Sequence, residues 1–166
     1  EKIMQIILRD ASQNFDWSAI SPTIFGAVFE STLNPETRRS GGMHYTSIQN
    51  IRKVIDPLFL NDLQNEYETI AAIKIIETRD KKLRVFLEKL ASLHFLDPAC
   101  GSGNFLTETY LCLRRLENKI LVLLNENQEM MRKSGATQIY QVTFGSNISN
   151  PIKVSIEQFS GIEIND

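Results

Sequence analysis

The residues of this chain best suited to chemistry lie in one short run, Asp97-Pro98-Ala99-Cys100-Gly101-Ser102-Gly103, and, roughly sixty positions on, at Glu163. Two glycines one residue apart let the backbone take positive φ and approach a ligand as no residue with a β-carbon can. A helix opening directly after them aims its unpaired amide groups into the same crevice. An acid closing the next strand can accept both hydroxyls of a ribose. Asp97 adds a discriminating charge: a carboxylate inside the bend repels a pyrophosphate and suits a ligand with a cationic end, such as the ammonium of a methionine group. Taken singly, the glycine pair is an ordinary turn, Asp97 beside Pro98 is a turn cap, and Glu163 is a surface acid. In this order they describe the opening of a nucleotide-binding α/β sheet.

Two nucleotide classes are excluded. A phosphate-cradling loop needs a Gly-Lys-Ser/Thr ending, and Asn104-Phe105 follows Gly103 with no lysine available. The dinucleotide fingerprint needs a third glycine where Leu106 stands, and its ribose acid comes about twenty residues later, far sooner than Glu163. Two cysteines, Cys100 and Cys112, with no CxxC pair and two histidines support neither a disulfide framework nor a closed zinc site, so buried free thiols are expected. The formal charge of −2 offers no basic excess for gripping nucleic acid. The local clusters Arg38-Arg39 and Lys81-Lys82 with Arg84 read as solvated faces.

The elements that must hold these residues can be read from periodicity. A helical preamble is predicted over 1–92. It includes a helix ending near residue 14, another from Pro22 through Leu33, and a loop over 36–43. Thr46 or Ser47 then caps a helix carrying Ile48, Ile51, Val54 and Ile55. Pro57 predicts a restart with Leu58, Phe59 and Leu63; a further helix is predicted over Glu68 to Glu77 and another from Asp80 to Ser92. Residues 93–166 form the second unit: a strand at His94 to Leu96, the glycine bend, and a helix from Asn104 to Arg132. That helix buries Leu106, Tyr110, Leu113, Leu116, Ile120, Leu123 and Leu124 and closes at Ser134-Gly135. A weak hairpin at 139–144 and a strand from Phe159 to Ile164 complete it. The predicted class is thus α/β, a truncated Rossmann-like sheet behind a helical preamble, helix-dominated in this stretch.

FLDPACGSGNFL, residues 95–106, closely resembles the cofactor motif of the amino-group DNA methyltransferases, particularly the adenine-N6 enzymes of bacterial restriction-modification and phage-defence systems. GIEIND, residues 161–166, is similar to that family's next motif, whose acid binds the cofactor ribose. GMHYTSIQNIRKVI, residues 42–55, resembles the motif that closes over the methionine end in circularly arranged members. FGAVFE, residues 25–30, resembles a helix these large enzymes carry ahead of it.

The resemblance implies S-adenosylmethionine as cofactor. Asp97 would hold its ammonium beside the backbone of Pro98 and Ala99, and Gly101 and Gly103 would make room. Tyr45, Thr46 and Ser47 would line its carboxylate, Glu163 would grip the ribose and Ile164 would pack on the adenine. The family's catalytic tetrapeptide, an Asp, Asn or Ser followed by two prolines and an aromatic ring, stacks the flipped target base, and no such run occurs here. Asn150-Pro151-Ile152 reads as a turn. The expected protein is therefore a cytoplasmic cofactor-binding piece of a larger enzyme, inactive alone. DNA would be engaged by regions outside it, and its open sheet edge could pair with a second copy. A nucleotide-binding module without chemistry, or a methyltransferase acting on cytosine N4, RNA or protein glutamine, are the alternatives.

Overall fold

The computed structural model describes residues 46–135 and 151–163, with Asp16 and Val28 besides. The expected helices before residue 46 and the hairpin at 139–144 lie outside the described residues. Ser47 caps the first described helix, α1 (Ile48–Ile55): its backbone is extended and its hydroxyl accepts from the Asn50 N–H at 3.4 Å. An apolar row, Ile51 and Ile55, turns inward from α1.

The restart expected at Pro57 does not occur. Asp56–Leu60 form a π-helical turn that runs without interruption into α2 (Asn61–Ala71). Pro57 stands in the first turn of that segment, where a missing N–H costs least. The helix expected over Glu68 to Glu77 is broken instead. α3 (Ile76–Ser92) begins only after an extended Ile75. α3 packs along α4 (Asn104–Lys133), the long helix after the bend, and Arg79 ties the broken connection to it. Its guanidinium donates to the Ile73 carbonyl at 3.3 Å and to the buried Asn127 side chain of α4 at 2.9 Å.

The core lies between these helices. Leu83, Phe86, Leu87 and Leu90 of α3 meet Leu113, Leu116, Ile120 and Leu124 of α4, with Leu63 and Ile70 of α2 and Val154 closing the ends. Leu106, Tyr110 and Leu123 are only partly covered. Gly135, at φ +79°, ends α4 as expected. No helix among the described residues is long and apolar enough to cross a membrane.

Two short strands pair in parallel, β1 (Phe95–Asp97) and β2 (Phe159–Gly161), in the register Phe95 to Phe159 and Asp97 to Gly161. A parallel pair demands a crossover, and α4 supplies it. One sheet face rests on an aromatic layer. The Phe95 and Phe159 rings stack at 5.2 Å, Phe59 tilts onto Phe95 at 5.0 Å, and Tyr110 meets Phe159 edge-on at 5.7 Å. Leu96, on the opposite face, is 63% exposed. The architecture is helix-dominated with a small parallel sheet, as predicted in its coarse form. β2 is shorter than predicted among the described residues and is led in by a 3-10 turn, Ile156–Gln158.

Candidate functional site

The bend between β1 and α4 folds back on the end of β2. Beyond the strand register, Ile162 N–H donates to the Asp97 carbonyl at 2.9 Å and Cys100 N–H to the Ile162 carbonyl at 3.0 Å. Gly101 N–H then donates to the Glu163 carboxylate at 2.8 Å. On the near side, Ala99 N–H donates to the Asp97 carboxylate at 3.1 Å, and Gly103 N–H to the Cys100 carbonyl at 2.8 Å. Asp97, Pro98, Ala99, Gly101, Gly103 and Glu163, chosen from sequence, thus share one corner, with an acid on either side of it.

This pattern decides what the corner can hold. A phosphate loop turns its backbone amides outward to an anion. Here the Ala99 and Gly101 amides are already given to carboxylates. The Cys100 thiol senses the same field: burial first, then Asp97, then Glu163, push its ionisation above the ordinary thiol value. An electronegative bend suits a cation and hydroxyl donors.

Gly101 and Gly103 take φ of +52° and +77°, the left-handed region that side chains rarely enter. A β-carbon at either would meet no protein atom within 4 Å. Conformation, not crowding by protein, calls for glycine there. Crowding falls on a glycine not singled out in the sequence. At Gly161 a β-carbon would stand 2.7 Å from Cys100 Sγ, 3.0 Å from Cys100 Cβ and 3.2 Å from a Leu106 methyl. Gly161→Ala is expected to cost about 1–3 kcal/mol, the usual range for overpacking. Cys100→Ala should recover part of that loss, and urea unfolding of the two single variants and the double measures the coupling. Strict additivity would contradict the contact.

Two side chains that sequence reading missed place β2. Glu117, fully buried on α4, receives the backbone N–H groups of Lys153 and Val154, the latter at 3.0 Å, and pairs with Arg114. Gln158 donates to the Leu90 and Leu93 carbonyls at 2.8 Å each and accepts from Ser155 N–H at 2.9 Å. The Ser-x-x-Gln spacing of a capping box was available to signal Gln158. For Glu117 the signal was one acid interrupting the apolar row Leu113, Leu116, Ile120.

Thr46 and Ser47 stand half-buried at the start of α1, which packs through Ile51 and Ile55 on Cys112 and Phe105 of α4. Tyr45 and Ile164 lie outside the described residues. Both cysteines are free, as expected; Cys112 is buried and Cys100 half-buried. Burial first, then Glu108, against the opposing pull of Arg52, push the Cys112 thiol up from 9.0 to about 11. A folded state that keeps this proton longer than the unfolded chain is fully favoured below pH 9.0 and loses stability as pH rises to about 11. Urea midpoints should fall across that window, and Cys112→Ser should flatten the slope.

Comparison with known proteins gives the family. Residues 73–166 match the family described as MmeI, DNA-methyltransferase domain. DNA methyltransferase A of Bacillus subtilis (strain 168) is 36% identical over 162 residues, covering 96% of this chain and 16% of that protein. A putative type II restriction enzyme and methyltransferase of Methanocaldococcus jannaschii is 28% identical over 138 residues, covering 69% of this chain and 11% of that protein. Among solved structures, the type IIL restriction-modification enzyme MmeI in complex with DNA superposes with a TM-score of 0.73 at 41% identity, over 99% of this chain and 19% of that one. The chain therefore spans under a fifth of the length of these relatives. With a family match over more than half of its residues, the chain belongs to the MmeI-type DNA-methyltransferase domain family of restriction-modification proteins.

Proposed function

We propose that the corner between β1, α4 and β2 binds S-adenosylmethionine for transfer of its methyl group to the N6 amine of adenine in DNA. The observation that carries this reading is the pair of carboxylates, Asp97 and Glu163, each holding one amide of the same bend. In this reading residues 93–166 open a Rossmann-like methyltransferase domain, and residues 1–92 precede it as a helical segment. Asp97 receives the ammonium of the methionine end, flanked by the backbone of Pro98 and Ala99. The positive φ of Gly101 and Gly103 keeps β-carbons away from it. Glu163 orients the ribose hydroxyls and Ile164 covers the adenine. Tyr45, Thr46 and Ser47 face the cofactor carboxylate, which the amino end of α1 favours electrostatically. When bound, the cofactor supplies an electrophilic methyl group on a sulfonium. Residues of this chain bind and orient it, and the target base and DNA are engaged by other parts of the protein.

Calorimetric titration of the full-length protein with S-adenosylmethionine and with NAD separates this from a nucleotide module of another kind. Saturable binding of S-adenosylmethionine is expected, followed by N6-methyladenine in digests of DNA incubated with both. Binding of NAD alone would refute the site. Methyl label on cytosine N4, RNA or protein would keep the cofactor and change the target.

A further inference from the structure

Glu108 is an acid buried where the bend meets the helical segment, and nothing in the chemistry above uses it. Its side chain is 5% exposed, one turn into α4 behind Gly103, and among the described residues two basic groups approach it, one from α1 and one from α4 itself. The Arg52 guanidinium lies 3.8 Å from its carboxylate and the Arg115 guanidinium 3.7 Å. Between α1 and α4 runs a chain of hydrogen bonds. Arg52 donates to Cys112 Sγ at 2.7 Å, and the Cys112 thiol donates to Glu108 at 3.3 Å. Arg52 is itself held by Asp56, one turn on, at 2.8 Å.

The placement of this network gives it a use. Around it lies a small apolar cluster separate from the main core: Ile51, Ile55, Leu60 and Cys112, with Phe59 and Phe105 against it. Phe105 belongs to the first turn of α4, immediately after the bend, and Ile51 to the first turn of α1, immediately after Ser47. Apolar contacts alone allow one helix to slide along another, because dispersion has little direction. A charged group with a hydrogen bond of fixed geometry does not. α4 carries the glycine bend and α1 carries Thr46 and Ser47.

We infer that Arg52 and Glu108 are positioning residues that fix the start of α1 against the glycine bend, so that the two halves of the cofactor site face each other. This rests on the proposed function above. Neither residue touches the cofactor; each acts through the helix it belongs to.

The test uses the full-length protein and S-adenosylmethionine titrated calorimetrically into wild type, Glu108→Gln, Arg52→Met, Asp97→Asn and Leu83→Ala. Leu83 is buried in the main core between α3 and α4, away from this network. Glu108→Gln and Arg52→Met are each expected to weaken cofactor binding on the order of tenfold, the scale on which small misplacement of a binding group acts. Leu83→Ala should lower the melting temperature without moving the affinity. Arg52→Lys keeps the charge but not the hydrogen-bonding fork and should lie between wild type and Arg52→Met. It serves as the second reading should Glu108→Gln fail to fold. Wild-type affinity in Glu108→Gln and Arg52→Met, whatever their melting temperatures, overturns the inference. Wild-type affinity in Asp97→Asn overturns the site itself, a different failure.

Discussion

Asp97→Asn is expected to bind S-adenosylmethionine about 100-fold more weakly than the wild type while melting at nearly the same temperature. The carboxylate has two possible tasks. One is local: its oxygen accepts the Ala99 N–H at 3.1 Å and shapes the turn. The amide oxygen of asparagine accepts the same bond, so the turn survives the substitution. The other task is to balance a cation, which asparagine cannot do. Removing one partner of a desolvated, hydrogen-bonded charge pair costs about 2–5 kcal/mol, and each 1.4 kcal/mol is roughly tenfold in affinity. Calorimetry reads the affinity and thermal unfolding without cofactor reads the turn. Full affinity in Asp97→Asn would reduce Asp97 to a turn cap and remove the reason for assigning a cationic ligand.

The bend was legible because each of its residues is there for a local reason. Gly101 and Gly103 need positive φ, Asp97 precedes a proline, and a helix follows at once. Local causes leave local signatures. The convergence of Glu163 on Gly101 was legible only through the order of elements, since strand, helix and parallel strand force both strand ends to the same side. What escaped was set by distant parts of the chain. Ala71-Ala72-Ile73-Lys74 contains no helix breaker, and the interruption there is held by Arg79 reaching Asn127, 48 positions away. The row Leu113, Leu116, Ile120, Leu124 appeared as a plain apolar stripe, yet Glu108, Glu117, Asn127 and Gln128 are buried on the same helix. Periodicity measures hydrophobic burial and is blind to a polar group whose partner lies elsewhere. At Pro57 the local rule was sound about proline but assumed an α-helical spacing that a π-helical turn relaxes.

Glu117→Ala should destabilise the domain by about 3–5 kcal/mol, the usual cost of breaking a buried, paired charge. Glu117 is 0% exposed, and its carboxylate is shared by the Arg114 guanidinium and the amides of Lys153 and Val154. Alanine leaves the buried Val154 amide without an acceptor and takes the shared carboxylate from the half-buried Lys153 amide and Arg114 guanidinium. The damage has a direction. Val154 anchors the lead into β2, and β2 ends two residues before Glu163, whose carboxylate holds the Gly101 amide. Loosening residues 153–154 therefore frees the strand that leads to Glu163. Hydrogen exchange should accelerate first at the Lys153 and Val154 amides and then at Gly101, while the amides of α3 stay protected to the same degree relative to global unfolding. Glu117→Gln retains an acceptor for the two amides and loses only the charge opposite Arg114, so it should cost less than the alanine variant and keep the Gly101 amide slow. An unchanged urea midpoint in Glu117→Ala, with unchanged protection at 153 and 154, would mean that β2 is held by Gln158 and the aromatic layer of Phe95, Phe159 and Tyr110 without help from Glu117. In that case the polar anchor would have no part in shaping the corner between β1, α4 and β2.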